Sequence, residues 1–536
     1  MAPRRPVPRL LTAVIAAALA CAAGAQDSIR LPDLGSSANA LISDQDAQAY
    51  GAAMLHQMRA LGMVVDDPLL DDYINSLGFR LVAACDKPKD HFAFFIVKDP
   101  EINAFAAPGG YIAVNSGLFT ITQNESELAS VIAHEIGHIT QNHLQRAFED
   151  SKKDTPLMAL VLLGALAAGA GSHSGDAPMA VLAGGQGLIA QKSINFTRHD
   201  EIEADRTGIK TLANAGFDPN AMADFFQRME DLMSANAGGI QVPSLLQDHP
   251  VTTERISDAK ARAGALIAEQ KLHPSGGTLD LQQWNGIMAP LAFVKGPLPL
   301  RPPAGDAGHL DTWALMRERV RVLAGDPTRE AAYYAGRLKQ EPDFDTPANH
   351  YGYALALTGS GFGSRAVAQL QPLLDAHPDN LIVALAMADA RLQAGQRAAA
   401  LKMYDTLNAR SPRNRAVALA YAKALTAGGD KAQASQAAAL LKPLLENEQE
   451  PEIYSAYARA SDKAGDSVRA GEAFADASYY AGRPFDAMEQ LKRLLKRKDL
   501  DYYARARIQA RITELTPLTL ELQKRRIQTD DNPDGT

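Results

Sequence analysis

In the second half of the chain Pro378-Asp379-Asn380 recurs as Pro412-Arg413-Asn414. Gly395 in LQAGQ recurs as Gly429 in TAGGD at the same spacing. Two independent markers sharing one period mean that a single structural unit is repeated, and such units bury their apolar faces only against their neighbours. The unit reads as an alanine-rich helix, a glycine turn, a second helix ending in apolar residues, and a proline-bearing break. LIVALAMADARLQAGQRAAALKMYDTLNARSP and AVALAYAKALTAGGDKAQASQAAALLKPLL are two examples. Ala384, Ala388, Ala418 and Ala420 are small enough to let paired helices approach closely. An unrelated helical bundle would have no reason to keep one period for both markers. The expectation is an all-α solenoid over 311–522, whose concave surface suits segments of other proteins. It implies a partner, not a chemistry.

The step from Asn380 to Asn414 matches the period of tetratricopeptide repeats, roughly 34 residues. Ahead of the repeats, residues 42–290 mix helical and strand-like patterns, and KGPLPLRPPAG (Lys295–Gly305) marks a proline-rich linker over 295–310. The polar stretch 523–536 reads as a tail. A hydrophobic content of 46% with 22% charge describes a globular chain. The net charge of -8 leaves no basic surplus for nucleic-acid binding.

The segment 1–25 reads as a signal peptide. Arg4, Arg5 and Arg9 precede an apolar run from Leu10 to Ala20, and Ala23-Gly24-Ala25 offers a cleavage site before Gln26. The run is short for a membrane anchor. Lipid attachment at Cys21 fits less well, because Leu19 stands one place from where such a signal wants it. Cys21 and Cys85 are the two cysteines. Once Cys21 leaves with the signal, Cys85 has no disulfide partner, and its apolar setting RLVAAC reads as a buried thiol.

Between these regions HFAFFIVKDPEINAFAAPGGYIAVNSGLF alternates like strands, with runs at Phe92–Val97, Ile102–Phe105 and Tyr111–Val114 and a turn at Pro108-Gly109-Gly110. VIAHEIGHITQNH (Val131–His143) follows. Asn124 with Glu127 three residues on is a capping box, so a helix starts there. On it His134 and His138 stand four apart and lean toward one point, as the first two ligands of a zinc ion must. Glu135 lies on the next flank, placed to take a proton from a water that the metal acidifies. The alternative is two histidines on a polar helix face. Against it, Ala133, Ile136, Gly137 and Ile139 surround the pair, and burying two unpartnered imidazoles there is costly.

A third ligand is needed. His143 lies nine residues after His134, about 180° round the helix, which excludes it. Gln141 and Leu144 stand where an extended metzincin motif wants glycine and histidine. Downstream, NFTRHDEIEADRTGIKTL places Asp200, Glu201, Glu203 and Asp205 at the start of a helix with apolar Ile202, Ala204, Ile209 and Leu212. Glu201 and Asp205 share a face. One of them can bind metal while the other accepts a hydrogen bond from a ligand histidine. A solvated acidic first turn would account for Asp200 and Glu203.

HEIGH, followed well downstream by Arg198-x-x-Glu201-x-Glu203-Ala204-Asp205, resembles the M48 family of zinc metallopeptidases. The similarity extends from LPDLG (Leu31–Gly35) through VDDPLLDDYINSLG, EINAF, GFDPNAM and His249-Pro250 with Arg255 to the repeats. The resemblance implies an α+β zincin-like metallopeptidase domain over 26–294, followed by the repeat solenoid. It implies one Zn2+ per chain on His134, His138 and Glu201, with Glu135 as catalytic base and Asp205 supporting the ligands. His249 matches a regulatory fourth ligand that caps the zinc, and Arg255 lies near the active site. The edge strand at Asn103, Ala104 and Phe105 would hold a substrate as an added strand.

Leu157–Ala168 and Ala177–Ala190 are apolar but too short to span a membrane. They read as core helix, as a cover over the cleft, or as a surface touching membrane. The implied function is a periplasmic endopeptidase with a chaperone-like role in outer-membrane protein quality control. Its clients and the outer-membrane assembly machinery would be its partners through the repeats. The rival reading is a non-proteolytic chaperone or adaptor with a structural or silenced zinc site.

Overall fold

A computed structural model of the chain describes residues 43–86, 88, 91–151, 196–235, 243–272, 310–428, 430–446 and 449–530. The expected signal peptide, LPDLG, most of the expected linker, Gly429 and the apolar segments 157–168 and 177–190 lie outside these residues. The described residues from Asp44 onward form one compact unit.

The chain opens with α1 (Asp44–Ala60) and α2 (Pro68–Ala84). Asp67 caps α2 by accepting from the Leu70 amide, and Pro68 stands in its first turn, where its missing N–H costs nothing. Three strands follow: β1 (Ala93–Val97), β2 (Ala104–Ala107) and β3 (Tyr111–Asn115). They form one sheet in the order β1-β3-β2, with β1 parallel and β2 antiparallel to β3. The second apolar run was expected at Ile102–Phe105, but the strand begins later. Ile102 instead gives its carbonyl to the Leu245 amide at 3.1 Å.

Next come α3 (Ser116–Ile121), α4 (Glu125–Thr140), α5 (His143–Ser151), α6 (Arg198–Asn214), α7 (Ala221–Ala235), the short α8 (Ser244–Asp248) and α9 (Thr253–Leu272). Asn124 accepts from the Glu127 amide at 3.0 Å, as the capping box requires. Glu127 reaches one residue further back than expected, to the Gln123 amide at 2.8 Å. Helix α4 is the centre of this half and packs against α2, α6, α7 and both β2 and β3. Leu128, Ile132 and Ile136 on α4 are fully buried in one core with Leu70, Ile74, Ile112 and Leu212.

Helices α4 and α6 come unusually close because small residues face each other. A Cβ on Gly137 would stand 3.0 Å from the Ala204 carbonyl oxygen, and one on Gly208 would stand 3.1 Å from the His134 amide nitrogen. Any larger side chain at either position would push the two helices apart.

The remaining chain is helical: α10 (Thr312–Ala324), α11 (Pro327–Gln340), α12 (Pro347–Gly359), α13 (Gly363–Ala376), α14 (Leu381–Gln393), α15 (Arg397–Arg410), α16 (Arg415–Gly428), α17 (Lys431–Leu441), α18 (Pro451–Ala464), α19 (Ser467–Tyr480), α20 (Pro484–Leu495) and α21 (Tyr502–Asp530). From α10 on, each helix packs on the next, and α12, α14, α16 and α18 also pack in series. The repeated asparagines have one job. Asn380 caps α14 by accepting from the Val383 amide, and Asn414 accepts from the Val417 amide, each at 3.0 Å. Such caps contribute about 1 kcal/mol each.

The helical half packs directly on the rest. Arg319 of α10 makes a two-pronged contact with Asp67, at 2.7 and 2.6 Å, and donates to the Tyr351 hydroxyl. Arg415 of α16 pairs with Asp72. The His56 ring of α1 meets Tyr479 of α19 edge to face, with centroids 5.4 Å apart. Among the described residues no helix is long and apolar enough to cross a membrane.

Candidate metal centre

Four side chains converge where α4, α6 and the end of α8 meet. His134, His138, Glu201 and His249 are all buried, and each offers an atom within 4.8 Å of the others'. The His134 and His138 Nε2 atoms lie 2.9 Å apart. From the Glu201 carboxylate, His134 Nε2 is 3.6 Å away and His138 Nε2 3.5 Å. His249 Nδ1 lies 2.8 Å from Glu201 Oε1 and 3.4 Å from His134 Nε2. Four ligands on a tetrahedral zinc with bonds of about 2.0–2.1 Å stand roughly 3.3–3.4 Å from one another. The set therefore has nearly the right size to close on such an ion.

The outer nitrogens fix what the inner ones offer. His134 Nδ1 is 2.9 Å from Asp205 Oδ1, so its proton sits there and its Nε2 presents a lone pair. His138 Nε2 points at the same spot. Two imidazole lone pairs and a carboxylate aimed at one buried point repel each other unless a cation lies between them. The residues fit a metal ion.

Burial works against the charge on Glu201, but His249, His138 and His134 outweigh it and hold the carboxyl well below the ordinary range. For Asp205 burial is likewise outweighed, here by Arg255 and His134, so it also stays ionised. Burial pushes the His138 imidazole well down, which favours the neutral form a ligand needs. On His249 burial opposes charge, yet the Glu201 and Glu135 carboxylates lift the imidazole to about 9.

Glu135 is wholly buried. Burial raises its carboxyl above the ordinary value, with His249, His134 and the Ala106 amide pulling the other way. Its Oε1 lies 3.5 Å from His249 Nε2. The His249 ring thus stands between Glu135 and the three other ligand atoms, with one nitrogen facing each.

Arg255 lies beside Asp205 and Glu201. It holds Asp205 through two contacts at 2.7 and 2.8 Å and reaches Glu201 Oε2 at 2.7 Å. Strand β2 stands at one edge of the sheet. The Asn115 amide donates to the Asn103 carbonyl, so Asn103, Phe105 and Ala107 face β3, while Ala104 and Ala106 turn their backbone groups outward. The Ala104 amide is taken by Asn103 Oδ1 at 2.9 Å, and the Asn103 Nδ2 donates to Asp248 Oδ2 at 3.1 Å. Helix α8 and His249 are therefore tied to the outward edge of β2. A small apolar pocket borders His134 and His249, lined by Val131, Met222, Phe225, Phe226 and Leu245.

Three placements differ from the reading of the sequence. His143 does not continue the helix of His134, because α4 ends at Thr140 and Asn142 turns the chain at φ 59. His143 comes back against His138, with their Nδ1 atoms 2.9 Å apart, and stays outside the four-residue cluster. Asp200 and Glu203 are not simply solvated. Asp200 forms a capping box with Thr197, and both carboxylates bind Arg146 at 2.9 Å. Phe196, which carried no signal in the sequence, lies against His138 with ring centroids 3.9 Å apart.

An HExxH helix with a glutamate from a second helix and a buried base beside it defines a metallopeptidase. Residues 68–263 match the family model for peptidase family M48. A beta-barrel assembly-enhancing protease of Yersinia pestis is 36% identical over 395 residues, which cover 70% of this chain and 76% of that protein. Its Escherichia coli counterpart is 32% identical over 489 residues, 91% of each chain. The mitochondrial metalloendopeptidase OMA1 of Schizosaccharomyces pombe is 29% identical over 184 residues, 34% of this chain and 50% of that one. The chain belongs to peptidase family M48 and is a metalloprotease.

Proposed function

We propose that this metalloprotease is a zinc endopeptidase of the periplasm that degrades misassembled outer-membrane β-barrel proteins and has a chaperone-like role in their assembly. The observation that carries the reading is that His134, His138, Glu201 and Glu135 converge beside the outward edge of β2. The names of the relatives point to β-barrel assembly, and the signal-like segment 1–25 points to export.

His134, His138 and Glu201 would hold one zinc ion, with Asp205 and Arg255 fixing His134 and Glu201 in place. Zinc bound there supplies a Lewis acid that polarises a peptide carbonyl and acidifies water. Glu135 takes the proton of the attacking water and hands it to the leaving amine, and its raised carboxyl suits that exchange. A substrate strand laid along Ala104–Ala107 would pass directly by Glu135.

His249 now stands where the water and that strand must come, so α8 has to lift before cleavage. The peptidase part would span 26–294, with the 295–310 linker leading into tetratricopeptide repeats over 311–522 and the tail 523–536. The repeats would engage clients or the assembly machinery.

A second reading is favoured by one observation: His249 completes four ligands, and closed sites are how structural zinc is built. The chain would then be a chaperone or adaptor without proteolysis. The deciding experiment carries Glu135→Gln in the full chain and follows a stalled outer-membrane protein. Zinc should stay bound while degradation falls by ~10²-fold or more. Unchanged degradation would remove Glu135 from the role of base.

A further inference from the structure

His143 has so far been only a histidine that is not a ligand. It is fully buried, yet it opens α5 with its ring edge-on to His138 at a centroid separation of 4.8 Å. We propose that His143 is a positioning residue: it fixes the tautomer and the ring orientation of His138, so that the His138 Nε2 lone pair faces the metal. The inference rests on the reading of His138 as a ligand.

The direction of the hydrogen bonds follows from their ends. If His138 Nε2 gives its lone pair to the metal, the ring's proton sits on Nδ1. That proton points at His143 Nδ1, 2.9 Å away, which must then accept. His143 in turn carries its proton on Nε2, and Nε2 faces Glu203 Oε2 at 3.2 Å, with Asp200 Oδ1 at 3.8 Å. Arg146 holds both carboxylates from the other side at 2.9 Å.

Every group along this relay is satisfied in one direction only. Reversed, His143 Nε2 would turn a lone pair toward a carboxylate, and His138 Nε2–H would point into the ligand cluster and spoil it. The acceptor that Asp205 provides for His134 is thus provided for His138 by a neutral imidazole, itself oriented by Glu203. The turn at Asn142 is what brings His143 back onto His138. Phe196 packs against the His138 ring, with centroids 3.9 Å apart.

The test uses the full chain and zinc alone, with affinity measured by competition against a chelator. His143→Leu fills similar space without an acceptor, whereas His143→Asn keeps an oxygen near the place of Nδ1. We expect the leucine variant to bind zinc ~10–100-fold more weakly, as when such supporting partners are removed elsewhere. The asparagine variant should bind close to the native value, with both metal-free proteins melting near the native temperature. A leucine variant that binds as tightly as the native chain would overturn the proposal, and so would an asparagine variant as weak as leucine. If the leucine variant does not fold, the asparagine variant decides alone by its affinity. A native chain that takes up no zinc would overturn both this inference and the metal site beneath it.

Discussion

Asp205 touches no substrate in the proposed site, but two different charges depend on it. It lies 2.9 Å from His134 Nδ1 and holds Arg255 at 2.7 and 2.8 Å. Asparagine has the same shape and cannot serve both, since its amide presents N–H to one of the two donors. We expect Asp205→Asn to weaken zinc binding by ~10–100-fold. A chelator titration at neutral pH measures this, and an unchanged affinity would leave Asp205 a part of the fold only. The sequence made His134, Glu135 and His138 legible through spacing, and Glu201 with Asp205 through a shared helix face. His143 was misplaced because its position was read along a helix that ends at Thr140. Phe196 was invisible, since a lone aromatic in a loop carries no periodic signal and is placed only by tertiary packing.

At the scale of elements, the site depends on how closely α4 and α6 pack, because they carry His134 and His138 on one side and Glu201 on the other. That spacing is set at Gly137 and Gly208, where a Cβ would press on backbone atoms of the opposite helix. Gly137→Val should push the helices apart at a cost of ~1–3 kcal/mol. It should also lower zinc affinity, although the added side chain would press on Ala204 rather than on a proposed ligand. Thermal melts of the metal-free and zinc-loaded protein separate the two effects, and a variant with native stability in both would contradict the packing argument. The start of α4 could be read from Asn124 and Glu127 because a cap is a local device. The shift of β2 to Ala104–Ala107 could not, since it follows from the contact of Ile102 with Leu245, far along the chain.

The repeat period pointed to stacked helical units but not to where they rest. That depends on single contacts such as Arg319 with Asp67 and the His56 ring against Tyr479, which have no pattern in sequence. A Cβ on Gly482, at φ +75, would lie 1.9 Å from the His56 carbonyl oxygen, so α1 sits tightly on the turn after α19. Burial, aided by Arg59, lowers the His56 imidazole from 6.5 to about 4. Between those values the unfolded chain binds a proton that the folded chain refuses. Stability is therefore fully present above about 6.5 and falls as the pH drops toward about 4, by at most ~1.4 kcal/mol per unit. The native chain should lose more of its urea midpoint than His56→Phe between neutral pH and about 5. Equal losses would show that this ring does not sense pH.

We propose that a competent protease is held shut by its own His249. This is tested most directly by His249→Ala in the full chain, alone and combined with Glu135→Gln, measuring zinc content and client degradation together. We expect the single variant to keep one zinc per chain and to cut faster than the native protein, and the double variant to keep zinc and cut nothing. Loss of zinc together with unfolding in the single variant would instead mark His249 as part of a structural site, and retained zinc with no gain in cleavage would show that it shuts nothing.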